Sequence, residues 1–430
     1  MRYPLWGMGQ TGKSMSVTAE SYTNMYAEIS DDEDKTKIAF YGRHGLDLFI
    51  SLGDYPTRGA ADLNDLLYVV NRNTFYEINN AGTVTNRGTL LTTEGRVSIA
   101  TNGNLFQIVD GTYGYVYNAT TLAFTQITDA DFVPAKTNTW IDGYFITDQL
   151  GSTDKTKLNR YAWSTDGLTY DALDFASAES SHDPLVRVFN DNRELILFGQ
   201  FTTEFHGSNG SLDQPFSRQA TIEWGLAARH SVAKMNDSMI YLARNRMGKT
   251  QVLTLNGYSP EVVSNKSMST VIDSYGDISN ATGFSFMEGG HPFYILSFPN
   301  VGKSWMFDGS TSLWSKVNYG LTETQYRGAF GTGFISRVVV FDYANGNIYN
   351  INPDAYFDNG SVIVGELASR HIFDTDYIAI YKCQIDMEAG VGLSSGQGAN
   401  PQIMLQVSHD GGKTYGNEMW ESFGAIGNYS

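Results

Sequence analysis

The chain has 430 residues and a formal charge of −17, with 46 Asp and Glu against 29 Lys and Arg. That balance argues against a protein that grips nucleic acid through a basic stripe, because such binding draws its free energy from counterions displaced by Lys and Arg. Aromatic residues at 13% and 44 glycines favour strands and turns, and the one cysteine, Cys383, excludes an internal disulfide and fits a reducing compartment.

Residues 1–54 differ from the rest. Pro, Gly, Ser and Thr dominate 4–24, and Asp31-Asp32-Glu33-Asp34-Lys35 forms a charged turn. Between them, 22–28 reads as one strand. A segment of this kind stays poorly ordered unless something ties it down, so it is expected to be an arm that docks on the body or on a neighbour. Arg2, Pro4, Trp6 and Gly7 leave no room for the apolar stretch of a signal peptide. No apolar run approaches the ~20 residues that span a bilayer, so no membrane insertion is expected.

From 55 to 358 a pattern recurs. An Asn, Asp or Gly cluster is followed by a short apolar strand: Asn64-Asp65 before Leu66, Asn102-Gly103 before Leu105, Asp142-Gly143 before Tyr144, Asn192 before Leu195. Asn236-Asp237 before Met239, Gly289-Gly290 before Phe293 and Gly331-Thr332-Gly333 before Phe334 continue it. These residues tolerate the positive φ of tight hairpins. Starts at roughly 40–50-residue spacing predict an all-β fold, a β-propeller of about six or seven blades. A pair of stacked sandwiches is the alternative.

Residues 359–430 are expected to form a small C-terminal β-sandwich-like domain. Strands are predicted at 377–387 and 402–407, with a hairpin over 408–415. Cys383 falls on the apolar face of the first strand and reads as a small core residue.

Four patterns resemble chemistry without its context. Gly7-Met8-Gly9-Gln10-Thr11-Gly12-Lys13-Ser14 spells a phosphate-binding loop, but only six residues precede it and no amphipathic helix follows. Gly392-Leu393-Ser394-Ser395-Gly396 spells a nucleophile elbow inside a Gly-rich loop leading to Pro401. Ser408-His409-Asp410-Gly411-Gly412-Lys413-Thr414-Tyr415 and Ser164-Thr165-Asp166-Gly167 spell Asp-box turns, in which the carboxylate caps backbone amides and does no catalysis. The histidines at 44, 182, 206, 230, 291, 371 and 409 lack zinc spacing, and Asp31 to Asp34 lacks the Gly and Glu of a calcium loop. No catalytic residue, cofactor or metal is therefore predicted.

One resemblance runs along most of the chain. Asn24-Met25-Tyr26-Ala27-Glu28, Gly45-Leu46, Gly95-Arg96-Val97-Ser98 and Tyr161-Ala162-Trp163-Ser164-Thr165-Asp166-Gly167 come first. Pro215-Phe216, Ile222 to Gly225, Ala228, Ser231-Val232-Ala233 and Asn236 follow, then Tyr326-Arg327-Gly328 and Asp410-Gly411. In this order they resemble the tail-hub proteins of short-tailed bacteriophages, also called tail-nozzle or packaged-DNA stabilisation proteins. His44 stands where that family has Pro, and the family continues past the Asp-Gly hairpin into Arg-rich strands. The resemblance implies a structural virion protein and no enzyme. It would form a homo-hexamer below the portal and its adaptor, extend the DNA channel, retain packaged DNA, and dock tail fibres or tailspikes and a needle. It would assemble in the host cytoplasm. Double-stranded DNA would pass through the lumen without specific binding, as a passage lined by Asp, Glu, Asn and Ser would allow. Asn24, Met25, Tyr26, Glu28, Pro215, Phe216, Gly225, Tyr326, Arg327, Gly328, Asp410 and Gly411 are its signature or interface residues. The rival reading is a carbohydrate-active propeller, either a sialidase-like glycosidase or a glycan binder. A sialidase requires three Arg around one carboxylate and a Tyr–Glu nucleophile pair.

Overall fold

Tight turns set the architecture. In the computed structural model, which describes residues 20–29, 38–178, 183–372, 380, 382–391, 393–396 and 398–428, positive φ occurs at Asn64 and Asp65, Gly103, Asp142 and Gly143, Asn192 and Arg193, Asn236, and Gly289 and Gly290. Each of these turns joins the first two strands of an antiparallel sheet. The first sheet runs Thr57–Leu63, Leu66–Asn71, Thr74–Ile78 and Val84–Thr89 in that order. Five more follow over 98–126 (blade 2), 138–177 (blade 3), 185–222 (blade 4), 225–262 (blade 5) and 282–319 (blade 6).

The seventh sheet is completed from far away in sequence. Gly328–Phe334, Arg337–Asp342 and Asn347–Asn352 take Gly45–Ser51 as their outer strand, with Asn352 opposite Gly45 and Asn347 opposite Ser51. Its first turn is not the expected glycine cluster. Gly331, Thr332 and Gly333 lie inside the strand, and the chain turns at Ile335 and Ser336, with φ of 48° and 58°. Gly331 serves packing instead, since a Cβ there would lie 3.0 Å from Phe284 of blade 6.

Seven apolar clusters fill the seven gaps between neighbouring blades. The cluster joining blade 7 to blade 1 contains Phe334, Val339, Phe341 and Ile348 with Leu67, Val69 and Ile78, so the ring is closed. This closure separates a propeller from stacked sandwiches. It also explains the unbroken apolar runs of the second strands, which are buried on both faces. Leu67 and Val69 point to blade 7 while Tyr68 and Val70 point to blade 2. Leu195 and Leu197 point to blade 3, and Ile196 and Phe198 to blade 5. Each such side chain contributes about 1.5–3 kcal/mol of burial.

One α-helix, Lys266–Ser274, is present among the described residues. The side chain of Asn265 accepts from the Met268 amide at 2.8 Å, and Met268 and Ile272, one turn apart, enter the core between blades 5 and 6. No helix among the described residues is long and apolar enough to cross a membrane.

The chain divides into two compact units, Tyr22–Leu367 and a second made of Met1–Ser21 with Ala368–Ser430. In the second unit the described strands are Gln402–Leu405 and Met419–Ser422, paired antiparallel with Met404 opposite Trp420. That pair is all the described residues show of the expected sandwich. Residues 382–387 are irregular and Cys383 is exposed, so the reading of Cys383 as a core residue is corrected. Alternation alone misled there, because no second sheet lies against that face among the described residues. The phosphate-loop spelling at 7–14, Arg2, the acidic turn at 31–34, His182 and residues 377–379 lie outside the described residues.

Candidate assembly site

The N-terminal segment is tied to the ring at one buried node. Thr23 pairs in parallel with Lys316 on the outer edge of blade 6. Asn24 follows with φ of 54°, a conformation that Asn tolerates better than most residues. Its amide donates to the Lys316 carbonyl at 2.8 Å, and its Nδ2 donates to Asn318 Oδ1 and, at 2.9 Å, to the Val364 carbonyl. The chain then makes a hairpin of Met25–Ile29 and Ile38–Gly42 and returns to Arg43.

Arg43 uses all five of its N–H donors. Nε donates to Asn24 Oδ1 at 2.9 Å, Nη1 to the His44 carbonyl and Asp358 Oδ1 at 2.9 Å each, and Nη2 to the Asn318 carbonyl at 2.9 Å and to Asp358 Oδ2. The guanidinium lies 5.1 Å from the centre of the Tyr326 ring. Arg43 is 6% exposed and Asp358 not at all, so the charges are both desolvated and matched. Burial pushes the Tyr326 phenol up and the neighbouring His44 down. Directly after Arg43, Gly45–Ser51 closes blade 7. The node therefore fixes the strand that completes the ring.

Around it lies a small crevice lined by Tyr26, His44, Phe286, Phe293, Met306 and Tyr326. Tyr26 meets Phe293 edge-on at 5.2 Å and His291 at 5.3 Å. Burial pushes the Tyr26 hydroxyl up.

The signature residues fall into separate places. Asn24, Met25, Tyr26 and Tyr326 gather at the Arg43 node, while Glu28 is exposed on its hairpin. Arg327 pairs with Asp342 at 2.6 Å, which also accepts from Tyr349 at 2.8 Å, and Gly328 begins blade 7 beside Tyr326. Pro215 and Phe216 are buried in blade 4, with Phe216 in the core shared with blade 3. Gly225 starts blade 5 where a Cβ would lie 2.3 Å from the Phe201 amide. Phe216, Gly225 and Tyr326 thus hold the monomer together and offer no outward surface. Asp410 and Gly411 form the expected turn: Asp410 Oδ1 accepts from the Lys413 and Thr414 amides at 3.0 and 2.8 Å, and Oδ2 from the Thr414 hydroxyl at 2.6 Å. These bonds hold its carboxyl below the usual carboxylate range. Asp166 repeats the arrangement with the Leu168 and Thr169 amides, both at 2.8 Å.

Arg43, Asn318 and Asp358 were not singled out from the sequence. The two ends of the ion pair lie 315 residues apart, and the only local hint was Gly-Arg-His-Gly, a charged residue in an apolar neighbourhood.

A family model described as Bacteriophage P22 Gp10, beta-propeller, matches residues 1–356. Among solved structures, the chain is similar to the extracellular domain of a one component system from B. thetaiotaomicron, with TM-score 0.48 and 7% identity over 71% of this chain and 39% of that one. It is also similar to the N-terminal domain of Nup159, with TM-score 0.44 and 10% identity over 77% and 98%. YCF48 bound to D1 peptide gives TM-score 0.47 and 9% identity over 76% and 98%. At such identities the likeness is one of fold alone. The chain spans only 39% of the first of these structures. No curated protein matches it.

Proposed function

The chain belongs to the family of the bacteriophage P22 Gp10 β-propeller, a family of phage structural proteins, and on that premise we propose that it is the tail hub, or nozzle, of a short-tailed phage. Six copies form a ring below portal and adaptor. The ring extends the DNA channel, retains the packaged genome, and offers docking surfaces to tail fibres or spikes and to a needle. The observation that carries this reading is the family match across the whole ring, 1–356, including the arm that the buried Arg43 node locks in place. A ring closed by its own N-terminal segment makes a stiff subunit, as a channel wall requires.

Two further features support it. The net charge of −17 favours a passage that DNA traverses without sticking. The second unit exposes Met404, Met419, Trp420, Tyr415 and Ile426, large apolar side chains of the kind that a neighbouring subunit or fibre covers. Glu28 is exposed on the outer hairpin, which makes that hairpin our candidate for the arm's contact with the adaptor.

Sedimentation of the full chain, alone and with an assembled portal–adaptor complex, tests the proposal. Six copies joining each adaptor ring are expected, even if the free chain is monomeric before templating. A chain that stays monomeric in the presence of the adaptor contradicts the hub assignment.

A further inference from the structure

The first strand of each blade lines the propeller axis, and there this acidic chain gathers positive charge. Arg96 precedes Ser98–Thr101 of blade 2, Arg187 lies on Leu185–Asp191 of blade 4, and Arg229 and His230 lead into Ala233–Met235 of blade 5. The Arg96 guanidinium sits 3.8 Å over the ring of Phe330, which belongs to blade 7. Arg187 Nη1 donates to the Arg229 carbonyl at 3.0 Å, and Arg229 Nε to the Val186 carbonyl at 2.8 Å. Blade 2 borders neither blade 4 nor blade 7, yet Arg96 reaches Phe330 of blade 7 and lies close to Arg187 of blade 4, so these side chains meet in the central channel.

These charges have no counter-ion in contact among the described residues. Among the described residues, none of the three guanidiniums lies within ion-pair distance of a carboxylate. Nε of Arg96 and Nε of Arg187 are buried without a hydrogen-bond partner. Asp148 of blade 3 offsets part of the charge of Arg187 and Arg229 from beyond ion-pair contact; its oxygens accept from the Lys136, Thr137 and Leu150 amides and the Thr137 hydroxyl, and burial pushes its own carboxyl up. Burial first, and Arg187 second, push Arg96 down to about 9. Burial and Arg229 push Arg187 down to about 10. Burial and all three arginines hold His230 well below its ordinary range. Arginine stays charged at neutral pH, and the same surroundings favour the neutral form of His230. Like charges fixed together in a partly desolvated channel are unfavourable unless something else balances them. Buried functional sites are a common place for such an arrangement.

We propose that the propeller axis is a binding site for a phosphate-class oxyanion, held between Arg96, Arg187 and Arg229. Phe330 and the two carbonyls fix the guanidiniums before the anion arrives, which reduces the ordering cost of binding. A phosphate group carries about −1.5 to −2 charge at neutral pH and several acceptor oxygens, enough to reach guanidiniums from separate blades. Three guanidiniums can also hold one carboxylate, as in a sialidase, but that enzyme needs a Tyr–Glu nucleophile pair beside them. The Tyr–Glu neighbours Tyr161 and Glu204 lie away from the axis, on the third strands of blades 3 and 4. The channel lies within one chain, so the site stands whether or not six copies form a ring.

Calorimetric titration of the full chain with inorganic pyrophosphate at neutral pH and fixed ionic strength tests the proposal. One saturable site per chain is expected, weakened at least tenfold by Arg96→Gln and by Arg187→Gln. In the unaltered protein, pyrophosphate should also shield Arg96 and Arg187 from phenylglyoxal, read by mass spectrometry, which keeps the test independent of variant folding. Absence of saturable binding, absence of shielding, or tighter binding of N-acetylneuraminic acid than of pyrophosphate overturns the assignment.

Discussion

Replacing Arg43 by Ala tests the node that locks the arm. The substitution removes five hydrogen bonds and leaves the Asp358 carboxylate, which has no exposed surface, without its counter-charge. Breaking one half of such a buried pair costs about 3–5 kcal/mol. Because Arg43 holds the strand that completes blade 7, the loss should appear as local opening of 23–29 and 38–51 before the ring unfolds. Hydrogen exchange read by mass spectrometry should show those amides exchanging between about a hundredfold and a few thousandfold faster, at about 1.4 kcal/mol per tenfold. Two comparisons isolate the cause. Lys303→Ala breaks the Lys303–Glu323 pair, whose side chains are 40% and 69% exposed, and should cost less than about 1 kcal/mol. Arg43→Met combined with Asp358→Leu should be less damaging than Arg43→Ala alone, because no buried charge is stranded. Protection of the arm unchanged within threefold in Arg43→Ala would refute the reasoning.

Three further outcomes follow from the same geometry. Gly225→Ala drives a Cβ to 2.3 Å from the Phe201 amide and should destabilise by about 1–3 kcal/mol or more, whereas Gly333→Ala, with open space around it, should be near neutral; thermal melts separate the two. Ser336→Gly relieves a φ of 58° in the seventh hairpin and should stabilise by about 1 kcal/mol, read as a higher denaturant midpoint at unchanged slope. The Asp410 carboxyl is depressed when folded, so its contribution to the 408–415 turn is present above the ordinary carboxylate pKa and is lost as pH falls through the lower folded value; carbon NMR of Asp410 should titrate below an Asp that lacks such hydrogen bonds, and Thr414→Val, which removes the bond to Oδ2, should move that midpoint upward.

Much of the ring was legible because its turns require residues that announce themselves. Asn64-Asp65, Asp142-Gly143 and Gly289-Gly290 sit at positive φ where Asn, Asp and Gly are least strained. The seventh turn escaped because Ile335 and Ser336 carry no such mark, while the nearby glycines answer to blade packing. The helix at Lys266–Ser274 escaped because only Met268 and Ile272 carry its buried stripe. Cys383 misled because alternation predicts a half-buried strand only if a second layer lies on its apolar side. The Arg43–Asp358 node and the axial arginines were illegible for a common reason. Each joins residues that the ring closure, and not the local sequence, brings together. Arg96 stood inside a recognised signature run, but nothing along the chain tied it to Phe330, Arg187 or Arg229.

The most direct test is electron cryomicroscopy of purified tails from virions carrying this protein. The account predicts six copies of a seven-bladed ring arranged around the DNA axis beneath the adaptor, each with Gly45–Ser51 as the outer strand of its last blade. Tails lacking this density, or a different number of copies with no shared passage for DNA, would contradict it.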